Sequence, residues 1–134
     1  MILLTLFLMT SSINSYADDL FSCLPDHSAS ILWEAAKGTK DKPVFSTRVG
    51  KDEPDSKYKV LFAFGKKGGT IKGNADQVEL KKVGDDYYLE TTPAGNVVFY
   101  RLFRQTQRNP TYVVSMKAYD FSGPSMFTQM YKCD

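Results

Sequence analysis

The run Lys57-Tyr58-Lys59-Val60-Leu61-Phe62-Ala63-Phe64 sets apolar side chains at alternate positions, Tyr58, Val60, Phe62 and Phe64. A period of two sends successive side chains to opposite faces of a strand, so one face is buried and the other wet. The same period extends in both directions along the chain. Phe45, Thr47 and Val49 alternate with Ser46 and Arg48, and Val78 and Leu80 with Gln77, Glu79 and Lys81. Tyr112, Val114, Met116 and Ala118 alternate with Val113, Ser115, Lys117 and Tyr119. Tyr87 and Leu89, the aromatic run Val97 to Phe103, and Phe127, Tyr131 and Cys133 complete the series. The best helical stretch is Ser28 to Ala36, and its Ile31-Leu32-Trp33 suits a strand equally well.

Turn chemistry separates these runs. Gly84-Asp85 lies at two-residue hairpin spacing. Gly65-Lys66-Lys67-Gly68-Gly69, Pro93-Ala94-Gly95-Asn96, Asn109-Pro110 and Ser122-Gly123-Pro124 read as further reversals, and Gly50 to Ser56 as a solvated loop. About eight strands with turn signals every ~8–15 residues are the pattern of a sandwich or a closed barrel. The expected fold is therefore all-β: a single small antiparallel β-barrel of meander type, closed because closure removes exposed edges. A two-sheet sandwich is the alternative.

At the amino end, Met1 to Met9 are almost entirely apolar. Ser15-Tyr16-Ala17 then puts small residues three and one before a cut, and Asp18 and Asp19 open a different composition. This resembles a secretory signal peptide at 1–17, followed by one all-β domain at 18–134. No Lys or Arg precedes the apolar run, which is too short to span a bilayer as a helix. The mature chain is expected in the periplasm or secreted, with no transmembrane segment. Cys23 and Cys133 are the only cysteines, and an even count in an exported chain favours a disulfide between them. Such a bond closes a loop of about 110 residues and contributes about 4–5 kcal/mol in the chain-entropy model. The competing reading takes Leu20-Phe21-Ser22-Cys23 as a lipoprotein cleavage box, with Cys23 lipidated and Cys133 left unpaired. Phe21 is bulky for such a box, and Asp18 and Asp19 interrupt the approach to it.

Composition excludes several classes of function. Hydrophobic residues at 43% and charged residues at 24% describe a globular protein. A net charge of +2 is too small to imply nucleic-acid binding, and export points the same way. One His and two Cys are too few for a His/Cys zinc site, so no metal and no cofactor are expected. His27, in Pro25-Asp26-His27-Ser28, is the only imidazole, and no Gly-x-Ser-x-Gly elbow supplies a nucleophile. The carboxylate groups Asp18-Asp19, Asp52-Glu53-x-Asp55 and Asp85-Asp86 fall in expected loops, where Asp bonds locally. Gly65 to Thr70 fails the spacing of a phosphate-binding loop. No catalytic residue is assigned and no enzyme is expected; a carboxylate-dependent hydrolase is the least favoured reading.

Binding features are more numerous. Lys66, Lys67 and Lys72 around one hairpin, and Arg104 and Arg108 near another, form a candidate cationic surface for an acidic partner. Strict alternation places Arg101 on the parity of Phe99 and Phe103, hence inward, where Trp33 or a Tyr would supply a cation–π partner. Met126 and Met130 lie on the parity opposite Phe127, Tyr131 and Cys133, and with Phe121 form a candidate apolar patch.

Phe21-Ser22-Cys23 and Tyr131-Lys132-Cys133 give the chain ends the outline of small exported bacterial β-barrel proteins. In that outline the chain resembles the periplasmic lysozyme inhibitors of the membrane-bound C-type class. The resemblance implies an exported barrel that acts on another protein. It covers only the two ends; the inhibitory motif of that family is not found between them, and no site residue is carried over. The reading overall is a non-catalytic cell-envelope protein that binds another protein, as an inhibitor or immunity-type partner. The alternative is a barrel that holds a small apolar ligand.

Overall fold

The structure is a computed structural model and describes residues 19–74, 77–93, 95–120 and 123–134. The expected signal segment 1–17, the expected mature start at Asp18, and Phe121 lie outside the described residues. Among the described residues no helix is long and apolar enough to cross a membrane.

Among the described residues nine strands are joined in one antiparallel sheet: β1 (Asp19–Trp33), β2 (Phe45–Lys51), β3 (Val60–Phe64), β4 (Gly68–Lys72), β5 (Gln77–Gly84), β6 (Tyr87–Thr91), β7 (Val97–Phe103), β8 (Tyr112–Asp120) and β9 (Pro124–Cys133). Pairing of β1 with β9 closes the sheet into a barrel. The ring itself has eight strands, because the long β1 is shared along one edge. Its first part, Asp19 to Cys23, pairs with β3; its second part, His27 to Trp33, pairs with β2. β2 therefore lies outside the ring, as a flap beyond the end of β3. Pro25 cannot donate to a ladder, and the β1–β9 register shifts between Pro25 and His27, which absorbs the missing bond.

The turns fall near their expected positions, with displacements: Gly50 and Lys51, expected in a loop, end β2, and Gly68 and Gly69, expected in a reversal, open β4. The β5–β6 reversal occupies Asp85 and Asp86 rather than Gly84-Asp85, and Asp86 takes φ 58°. Asp tolerates that left-handed conformation, and a register shift between Lys82 and Gly84 moves the turn by one residue. At the β8–β9 turn Gly123 has φ 152°, and a Cβ there would collide with the Trp33 indole. Trp33 thus packs over the turn backbone, and its ring meets Phe45 edge-on at 5.2 Å between centroids.

Phe62, Phe64, Tyr88, Leu102 and Val113 are buried inside the barrel with the Cys23–Cys133 disulfide. Aromatic rings fill the space: Phe64 lies 4.4 Å from Tyr88, and Phe62 lies 5.3 Å from Tyr131, between centroids. Tyr88 donates to the Gly65 carbonyl at 3.2 Å, so its hydroxyl enters the core satisfied. Cys23 faces Cys133 across the β1–β9 seam, so the disulfide staples the joint that closes the barrel. Neither sulfur is free, and Cys23 is not the lone thiol that a lipid anchor requires.

Two expectations of facing are reversed. In β7, Val98, Tyr100 and Leu102 are buried while Phe99, Arg101 and Phe103 are exposed, so Arg101 points outward. In β8, Val113 and Ser115 face the interior, and Met116 and Ala118 face out. The causes differ: β7 carries apolar side chains on both faces, so hydrophobicity alone does not mark its inside, whereas in β8 the inward parity includes Ser115 and Lys117 and the more apolar parity faces out.

Candidate functional site

The outward side chains of neighbouring strands line up in rows. One row runs Leu89, Phe99, Met116, Thr128, Ala29 and Val49 across β6, β7, β8, β9, β1 and β2. The next contains Ala118, Met126, Ile31 and Thr47. On the other side lie Tyr87, Arg101, Val114, Met130, His27 and Lys51. Phe99, Met116 and Met126 each remain 46% exposed and Val49 83%. Scattered exposed apolar residues are ordinary, but contiguous rows across six strands form a face. Met126 and Met130 point outward within it, as their parity implied. Phe99, Met116, Ile31, Phe45 and Val49 belong to the same face and were not identified from the sequence. Part of the signal was available: Val97 to Phe103 is apolar at both parities apart from Arg101.

The opposite sector of the barrel is polar. Thr70, Lys72, Gln77, Glu79 and Lys81 lie on the outward parity of β4 and β5. A lipid-spanning barrel needs an apolar girdle around its whole circumference, which these charges interrupt.

A basic margin follows one side of the apolar face. The Arg101 guanidinium lies 4.8 Å from the Tyr87 ring centroid and 4.6 Å from that of Phe103. The expected aromatic partner is present, but on the outside of the barrel. Lys132 and Lys51 continue the margin on β9 and β2.

Beneath this face, the barrel interior beyond the aromatic core is polar. The Gln129 amide donates to Asp52 Oδ2 at 2.6 Å and to the His27 carbonyl at 3.0 Å. Ser28 donates to Asp52 Oδ1 at 3.2 Å, and Tyr100 donates to Glu90 at 2.7 Å. Burial pushes the Tyr100 phenol far above its ordinary range, and the Glu90 carboxylate adds to the shift. Burial also raises Tyr131, with the Asp52 charge acting in the same direction. These groups satisfy one another, which marks a structural network rather than an open site.

No protein-family model matches the chain, and no curated protein or solved structure matches it. The likeness to lysozyme inhibitors therefore stays with the two chain ends that carry it.

The five candidate cations do not form one patch. Lys66 and Lys67 occupy the β3–β4 turn, and Arg104 and Arg108 the β7–β8 connection, at the same end of the barrel. Lys72 is at the other end of β4, opposite Leu61 and Gln77. Arg104 Nη2 lies 2.9 Å from Asp86 and 3.0 Å from Asp19, and its Nε bonds Asp86 at 3.1 Å. These bonds raise its affinity for the proton and tie the start of β1 to the β5–β6 turn. His27 Nδ1 lies 2.7 Å from Asp26 at a half-exposed position. Among the described residues no three His, Cys, Asp or Glu side chains group as a metal site. A shallow concavity of about 490 Å³ runs along the β8–β9 turn, between Tyr119 and Pro124.

Proposed function

We propose that this chain is a non-catalytic exported protein that binds another protein, as an inhibitor or immunity-type partner, through the outer face of β7, β8, β9, β1 and β2. The observation that carries the reading is the contiguous apolar face around Phe99, Met116, Met126 and Ile31. Water-exposed apolar rows cost solubility, and a partner that covers them recovers the burial free energy. The aromatic core supports a protein partner over an apolar ligand, because Phe62, Phe64 and Tyr88 occupy the interior such a ligand would use. The Cys23–Cys133 bond and the apolar segment 1–17 support export.

The test uses a photo-cross-linking residue at Met116 or Met126, with Thr70 and Glu79 on the polar sector as controls. A discrete protein adduct from the first pair alone is the expected result. Equal labelling from both sectors, or none from either, removes this face from the function.

A further inference from the structure

The flap strand β2 has one edge on β1 and another edge on no strand among the described residues. Which backbone groups that second edge presents follows from two hydrogen bonds. The Glu34 amide donates to the Val44 carbonyl at 2.9 Å, and the Asp52 amide to the Asp26 carbonyl at 2.8 Å. Both pairs lie on the β1–β2 register, in which Trp33 faces Phe45 and His27 faces Lys51. Antiparallel ladders alternate between hydrogen-bonded and non-hydrogen-bonded pairs. Ser46, Arg48 and Gly50 therefore direct their N–H and C=O groups to β1. Phe45, Thr47, Val49 and Lys51 direct theirs away, to the free edge.

Natural edges are commonly guarded by Pro, by bulges, by brevity or by charged side chains, and of these β2 carries charge alone, in Arg48 and Lys51. β2 is seven residues long, contains no Pro, keeps an unshifted register with β1, and is exposed at every residue except Ser46. We infer that the free edge of β2 is a strand-addition site for an extended, acidic segment of the protein partner. This deepens the protein-binding reading by naming the part of the partner that docks.

Charge selects the occupant. β2 carries Arg48 and Lys51 and no acidic residue. Arg48 makes no ion pair with a described residue, and its side chain shares the barrel-side face with Ser30, its β1 partner. A second copy pairing antiparallel about the middle of β2 would set Arg48 against Arg48, a repulsive cross-strand pair. A strand with a carboxylate at that position gains an ion pair instead. On the other face, its alternate residues extend the row of Val49, Ala29 and Thr128, so apolar side chains suit them. Backbone bonds to the edge supply affinity and the alternating side chains supply specificity.

The probe is a fluorescent peptide of the length of β2, in which valine alternates with threonine and the central threonine is replaced by glutamate. A twin carries lysine at that position. Anisotropy titration of the disulfide-bonded protein is expected to show the glutamate peptide binding at least about tenfold more tightly than its twin. Thr47→Pro deletes one free-edge N–H and leaves the β1 ladder intact, so binding falls by about tenfold or more. Arg48→Glu is the second arm and reverses the preference between the two peptides.

Undiminished peptide binding by a natively melting Thr47→Pro protein overturns the proposal, as does an unaltered preference in Arg48→Glu. A wild-type dimer that ignores both peptides and dissociates in Thr47→Pro assigns the edge to a second copy and also overturns it. Failure of the wild-type protein to bind either peptide, with cross-linking at Met116 intact, defeats this inference alone. Peptide binding without cross-linking defeats the apolar-face reading and leaves the edge site standing.

Discussion

At the disulfide end of the barrel, Phe62, Phe64, Leu102 and Val113 turn inward and close around Cys23–Cys133. Farther along the same strands, Ser115 and Gln129 turn inward while Met116, Met126 and Met130 turn out. The first region follows the rule that apolar side chains seek the interior. The second inverts it, with hydrogen-bonded polar groups inside and apolar rows outside. A fold that needed only stability would gain by exchanging them, and the proposed binding role of the outer face accounts for the inversion. The inner polar network is tolerable because Asp52, Gln129 and Ser28 satisfy one another.

The largest expected effect separates the two regions directly. Phe62→Ala opens a cavity in the aromatic core and costs about 3–5 kcal/mol. Phe99→Ala, one strand face away in chemistry but outside, stays within about 0.5 kcal/mol. Chemical denaturation of both variants measures the contrast, and equal losses would erase the distinction between core and outer face.

A smaller effect belongs to the polar interior. Gln129→Ala removes two donors, leaves Asp52 and the His27 carbonyl with fewer partners, and costs about 1–3 kcal/mol. If denaturation finds it neutral, the network is better hydrated than its geometry implies.

The same network predicts an alkaline limit. Tyr100 and Tyr131 have folded pKa values raised above that of an unfolded tyrosine, about 10. Their contribution is fully present below that value and is lost as pH rises through it toward the folded values, because the unfolded chain deprotonates first. Melting temperature should therefore fall above pH ~10, and Tyr100→Phe should flatten that decline. An unchanged slope would assign the alkaline loss to other groups.

The smallest effect concerns the cationic turn. Lys66→Glu with Lys67→Glu should change stability by no more than about 0.5 kcal/mol. If this turn steers an acidic partner, association slows and loses its salt dependence. Unchanged association across a salt series leaves the apolar face and the β2 edge as the surfaces that matter.

Much of this architecture was legible in the chain. The two-residue period from Lys57 to Phe64, the turn residues between the strands and the cysteines near the chain ends lead to a closed antiparallel barrel tied at its ends. Arg101 was misplaced because its strand is apolar at both parities, so alternation gave the period without the side. Arg104 looked free because Asp19 and Asp86, its partners, are distant in sequence and meet only when the barrel closes. Beyond Met126 and Met130, the extent of the outer face was not legible for the same reason: its other members come from strands distant in sequence and become neighbours only through the register.

Local sequence by itself determined that the chain forms short strands separated by turns, since side-chain alternation and turn conformations are properties of adjacent residues. It also determined that Cys23 and Cys133 had only each other for a partner within the chain. The tertiary structure alone decided which side of each strand became the interior, because that depends on the curvature set when β1 meets β9. It alone placed β2 outside the ring with an open edge, because β1 is long enough to give β3 and β2 separate stretches of one edge.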